Sequence, residues 1–127
     1  MRTEVELLLV GLGGALGAIS RYGVSEFAKK AFSGPFPIGT LIANLAGCFL
    51  IGMFIGSGYG EKSDALRLSF GVGFLGAFTT FSTFSAETLN HLNSVHWPFA
   101  VSNVLANVIL GIACVFLGII ASKRFLG

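Results

Sequence analysis

A chain of 127 residues in which 54% are hydrophobic and only 11% are charged departs from the soluble average, where about a quarter are charged. It reads as an all-α membrane protein with room for about four spans of roughly 20 residues and none for a separate soluble domain. The formal charge of +2 comes from scattered basic residues, which argues against nucleic acid as a partner. Cys48 and Cys114 lie in apolar runs with no CxxC or Cys/His spacing, so they read as small hydrophobes.

The expected spans cover about 6–31, 38–58, 68–93 and 99–121, a single domain over 1–127. Arg2 precedes an apolar run, as in a signal peptide, but Glu4 and Glu6 dilute the positive start, and a retained transmembrane helix is expected. Gly11, Gly13, Gly14 and Gly17 give this first span a smooth face with a GxxxG pair at Gly13 and Gly17, which lets a neighbouring helix approach closely. Arg21 ends the apolar run; it reads either as an interfacial snorkelling side chain or as a fixed positive charge at the mouth of an anion pathway.

Ser33-Gly34-Pro35-Phe36-Pro37 is the clearest turn, because two prolines and a glycine stop one helix and allow the next to begin near Ile38. In the second span Thr40, Asn44 and Cys48 recur every four residues and share a face. An amide in mid-span is costly unless it finds a partner, so Asn44 points inward, to glue helices or to line a path. Glu61, Lys62, Asp64 and Arg67 then form a solvated connection.

The third span carries GFLGAFTTFSTFSAE, residues 73–87. Its hydroxyls compete for backbone carbonyls, its threonines are β-branched and its glycines weaken helix. A break near Gly76 to Thr79 is expected, and in hydrocarbon it survives only where protein or a wet cavity receives the freed polar groups. Carbonyls freed there are hard oxygen ligands for a cation such as sodium. Phe81 and Phe84, three apart, share a helix face; they either pack or offer weakly positive ring edges. His91, His96 and Trp97 suit the interface. In the fourth span Asn103, Asn107 and Gly111 fall on one face.

Four spans put both termini on one side, so Arg2, Lys62, Arg67, Lys123 and Arg124 oppose Arg21, Lys29 and Lys30. Five against three is a weak positive-inside bias. It is compatible with insertion in both orientations and pairing of two opposite copies, and equally with ordinary insertion. No catalytic constellation is present: Glu87 is the one carboxylate well inside the apolar zone, and no phosphate-binding loop occurs. An enzyme is therefore not expected. The inward polar set is Asn44, Asn103, Asn107, Ser82, Thr83 and Ser85, all able to donate hydrogen bonds without carrying charge, which suits weak holding of a partly dehydrated anion.

GGALGAISRY, GTLIANLAG and GFLGAFTTFSTFSAE together resemble the Fluc (CrcB-type) fluoride channels of bacteria and archaea, over essentially the whole chain. The resemblance implies a dual-topology antiparallel homodimer in the plasma membrane, with two fluoride pores, a structural sodium ion at the dimer centre and passive export of cytoplasmic fluoride. It implies pore roles for Phe81, Phe84 and Asn44, and sodium ligation by the carbonyls of Gly76 and Thr79 from both subunits. It places Arg21 in a vestibule and gives Thr40, Ser82, Thr83 and Glu87 places lining or supporting the path. The fourth span departs from the pattern: where some members have a tyrosine and then two serines, this chain has Asn103, Asn107 and Gly111. The competing readings are a small dual-topology proton-coupled multidrug exporter, for which Glu87 is the one candidate acid, and a non-conducting membrane assembly subunit.

Overall fold

The computed structural model describes residues 1–127 and is entirely helical. Four helices are long and apolar enough to cross a membrane: Thr3–Ala31, Ile38–Ser57, Asp64–Leu92 and Trp97–Phe125. The 20 residues of the second, at about 1.5 Å each, match a hydrocarbon core about 30 Å thick. The first helix starts earlier than the expected Glu6, the third earlier than Leu68, and the fourth runs past Ala121 to Phe125. The differences fall at polar ends, where charge marks the membrane edge while the helix continues towards water.

Glycines set which spans touch. A Cβ on Gly13 or Gly17 would strike the carbonyls of Ser69 and Phe74 in the third span, and one on Gly73 would meet the Val10 carbonyl at 2.6 Å. The second and fourth spans are keyed the same way: Gly52 lies against the Val115 carbonyl and Gly118 against that of Phe49. Helices in lipid gain little from hydrophobic burial against one another, so close van der Waals approach is what holds each pair. Gly11 has nothing within 4 Å and Gly14 only the Gly73 carbonyl, at 3.8 Å, so the tight contact of the first span is narrower than its glycine content implies.

The turns follow their residues. The first helix ends at Ala31 and the second starts at Ile38, with Gly34 at φ 131° between them; Gly58, at φ 68°, ends the second. Both glycines occupy backbone that residues with a Cβ seldom adopt. Ser63 then caps the third span by accepting the Leu66 amide at 3.3 Å.

The third and fourth spans are not uniform α-helix. Arg67–Leu75 is wound as π-helix, with Phe70, Phe74 and Phe78 stacked at 5.5 and 5.6 Å between ring centroids and Phe54 joining from the second span at 5.4 Å. After one α-turn, Gly76–Phe78, the chain becomes extended at Thr79 (φ −88°, ψ 155°) and Thr80 (φ −146°, ψ 117°) before Phe81–Leu92 resumes as helix. The extended pair overlaps the end of the expected Gly76 to Thr79 break and runs one residue past it, whereas Gly76 keeps helical angles of φ −60° and ψ −37°. Thr80 fixes the restart, since its Oγ1 accepts the Thr83 amide at 3.2 Å as a helix cap. In the fourth span a π-turn at Ala106–Leu110 coincides with Asn107, whose side chain donates to the carbonyl of Asn103 at 2.9 Å. Wide turns of this kind occur often at functional sites.

Candidate functional site

The break in the third span is bound to both neighbouring helices by side chains. From the second span, the Asn44 amide pairs with the backbone of Thr80 on both edges: Oδ1 accepts the Thr80 N–H at 2.8 Å and Nδ2 donates to the Thr80 carbonyl at 3.2 Å. From the first span, Arg21 Nε donates to the Ala77 carbonyl at 3.0 Å. Backbone groups released in an apolar slab cost several kcal/mol each if left alone, by an order-of-magnitude reckoning, and these two side chains satisfy three of them.

Beyond Asn44 the amides form a chain running one way. Asn44 Nδ2 also donates to Asn107 Oδ1 at 2.9 Å, Asn107 Nδ2 to Asn103 Oδ1 at 2.9 Å, Asn103 Nδ2 to Thr88 Oγ1 at 3.0 Å, and Thr88 Oγ1 to the Phe84 carbonyl at 2.7 Å. Both amide protons of Asn44 are thus engaged within the chain.

Two cavities flank this assembly. One, of about 450 Å³, is lined by Asn44, Gly76, Thr79, Thr80, Phe81, Phe84 and Asn107 among others. The other, of about 600 Å³, opens beside the 33–37 turn and is lined by Arg21, Thr40, Thr83, Glu87 and His91 together with Glu26 and Lys29. In it Thr40 donates to Glu87 Oε1 at 2.8 Å, while Glu87 Oε2 is buried with no partner. In the first cavity Phe84, 8% exposed, and Phe81, 78% exposed, have their rings 5.5 Å apart and tilted by 56°.

A break held by one amide and one guanidinium, with cavities beside it in an otherwise apolar bundle, is suited to passage of a small polar species. A family model described as CrcB-like protein, Camphor Resistance (CrcB), matches residues 8–119, across all four spans. The chain belongs to this CrcB family. Its relatives include a protein named Fluoride-specific ion channel FluC from Dehalococcoides mccartyi, 49% identical over 115 residues, covering 89% of this chain and 88% of the relative. Proteins of the same name from Shewanella frigidimarina and Shewanella woodyi are 47% and 45% identical over 113 residues, covering 88% of this chain and 91% of each relative.

In this CrcB chain the residues singled out from sequence divide into three groups. Asn44, Asn107, Gly76, Thr79, Phe81 and Phe84 line one cavity, and Arg21, Thr40, Thr83 and Glu87 the other. Asn103 belongs to neither: it is 0% exposed, behind Asn107. Ser82 and Ser85 are turned to local partners, the first 3.4 Å from Thr80 Oγ1 and the second donating to the Phe81 carbonyl at 2.9 Å. Gly111 contributes space rather than a bond, since a Cβ there would meet Cys48 Sγ at 3.4 Å.

Sequence reasoning missed Thr80 and Thr88. Thr80 is the partner of Asn44 and the cap of the second half-helix, and its position three residues before Thr83 in a hydroxyl-rich run was the available signal. Thr88 ends the amide chain; nothing local distinguishes it, because its partner Asn103 comes from the next span.

Proposed function

We propose that this chain forms a fluoride-selective passive channel that lets cytoplasmic fluoride leave the cell across the plasma membrane and so limits its toxicity. The observation that carries the reading is the side-chain-held break at Thr79 and Thr80, with Phe81 and Phe84 beside it, in a chain nearly half identical to proteins named for fluoride conduction. Fluoride is small and strongly hydrated, so it loses most on entering a narrow path; donors in close register offset that loss, and a larger halide does not fit the same spacing. The Thr83 hydroxyl and the ring edges of Phe81 and Phe84 are the groups open to it. Asn44 and Asn107 hold their backbone frame, and Arg21 stands at the edge of the wider cavity.

The working unit in this proposal is an antiparallel homodimer with two pores. Its support is the 78% exposure of Phe81 and the near balance of basic residues between the two sides. A sodium ion at the dimer centre, held by the carbonyls of Gly76 and Thr79 from both copies, fits the chemistry of the break. The Thr80 amide, which would close an α-helical bond on the Gly76 carbonyl, goes to Asn44 instead, and the Thr79 carbonyl accepts no hydrogen bond. Oxygen ligands of this kind suit a hard cation.

Liposomes loaded with fluoride and read with a fluoride electrode test the proposal. Rapid loss of fluoride with retention of chloride and of a drug cation is expected. Vesicles that keep their fluoride as well with the protein as without it reject the channel, and proton-driven drug movement would point to an exporter using Glu87.

A further inference from the structure

A break in a helix exposes several carbonyls at once, and which of them are taken decides what the remainder can bind. Here the Ala77 carbonyl is taken by Arg21 and the Thr80 carbonyl by Asn44, while that of Thr79 between them is left over and that of Gly76 has lost the amide of Thr80. Arg21 has no carboxylate partner: the two ion pairs of the chain are Lys29 with Glu26 and Arg67 with Asp64. Its single hydrogen bond leaves from Nε, the nitrogen nearest the backbone, rather than from the terminal nitrogens that usually grip anions.

We propose that Arg21 is a positioning residue for the break, acting through the Nε–H bond to the Ala77 carbonyl and not through its charge. That bond pins the last α-turn before the extended residues, so the neighbouring carbonyls of Gly76 and Thr79 keep the orientation a cation needs. The proposal rests on the sodium reading given above and assigns the first span a part in it. The charge itself works against a cation on those carbonyls, and a neutral donor in the same place serves the site at least as well.

The side chains available separate bond from charge. In glutamine the Nε2 amide sits at the same number of bonds from Cα as Nε of arginine, so Arg21→Gln keeps the donor and removes the charge. Arg21→Lys keeps the charge and places a methylene where Nε stood; Arg21→Met removes both. Purified full-length protein is melted in sodium and in N-methylglucamine buffers, and each variant is also assayed for fluoride release from liposomes at graded sodium.

Arg21→Gln is expected to keep the sodium-dependent rise in melting temperature and flux within about threefold of the parent. Arg21→Lys and Arg21→Met are expected to need about tenfold more sodium for the same protection, the scale of one lost charge-assisted hydrogen bond. Protection and flux retained in Arg21→Lys but lost in Arg21→Gln overturn the proposal in favour of charge at the mouth. Equal behaviour of all three variants, whether unchanged or impaired, overturns it as well. If the parent itself melts alike in both buffers, the sodium reading fails separately. The clamp is then decided by sodium-independent melting: Arg21→Gln remaining parent-like while Arg21→Lys and Arg21→Met both fall supports it, and any other order rejects it.

Discussion

Asn44 accepts from and donates to the main chain of one residue, the N–H and C=O of Thr80, and so treats a stretch of broken helix as a strand edge. Replacing its Nδ2 with oxygen sets an acceptor against two others, the Thr80 carbonyl and Asn107 Oδ1. Asn44→Asp is therefore expected to abolish fluoride flux in liposomes and to lower stability by about 2–4 kcal/mol, since it leaves a half-buried charge facing oxygens; flux at the parent rate would remove Asn44 from the frame of the path. Phe81 is the opposite case. Its ring is 78% exposed on this chain, so Phe81→Ile costs the fold little and tests the ring edge alone. A fall in flux of about tenfold is the expected result; parent-like conduction would count against the aromatic contribution.

Among the elements, the reciprocal glycines of the second and fourth spans face main chain on both sides. A methyl on Gly118 would collide with the Phe49 carbonyl and lie 2.8 Å from the Met53 amide nitrogen, both main-chain groups that cannot swing aside. Gly118→Ala is expected to destabilise the protein by about 1–3 kcal/mol, measured by thermal melting in detergent, whereas Gly11→Ala, with nothing within 4 Å, should melt like the parent. The four spans, the proline turn and the weak helix around Thr79 and Thr80 were legible in the sequence, because each follows from local composition: apolar length, ring-fixed φ and competing hydroxyls. The π-winding of Arg67–Leu75 was not, since its residues are compatible with either helix and stacking of Phe70 on Phe74 belongs to the folded state. Nor was the extension of the break to Thr80, which Thr80 and Asn44 settle together from two different spans.

For the molecule as a whole, the weak bias of basic residues across the two faces, five against three, leads to a prediction about insertion. Reporters fused to the C-terminus, one active only in the cytoplasm and one only outside, should both give signal; activity restricted to one side would exclude the antiparallel pair. What sequence could not give at this scale was the assignment of each amide to its partner. Asn103, Asn107 and Gly111 repeat every four residues as though equivalent, yet one is sealed inside, one faces the cavity and one is only a gap.

The amide row from Asn44 to Thr88 is polarised, and its starting member cannot turn over because the Thr80 main chain dictates which way round it lies. Orientation is thereby handed down the row like the facing of tiles laid from a fixed corner. Removing the last tile, as in Thr88→Val, takes the acceptor from Asn103 alone, while Asn107 keeps the facing that Asn44 gives it.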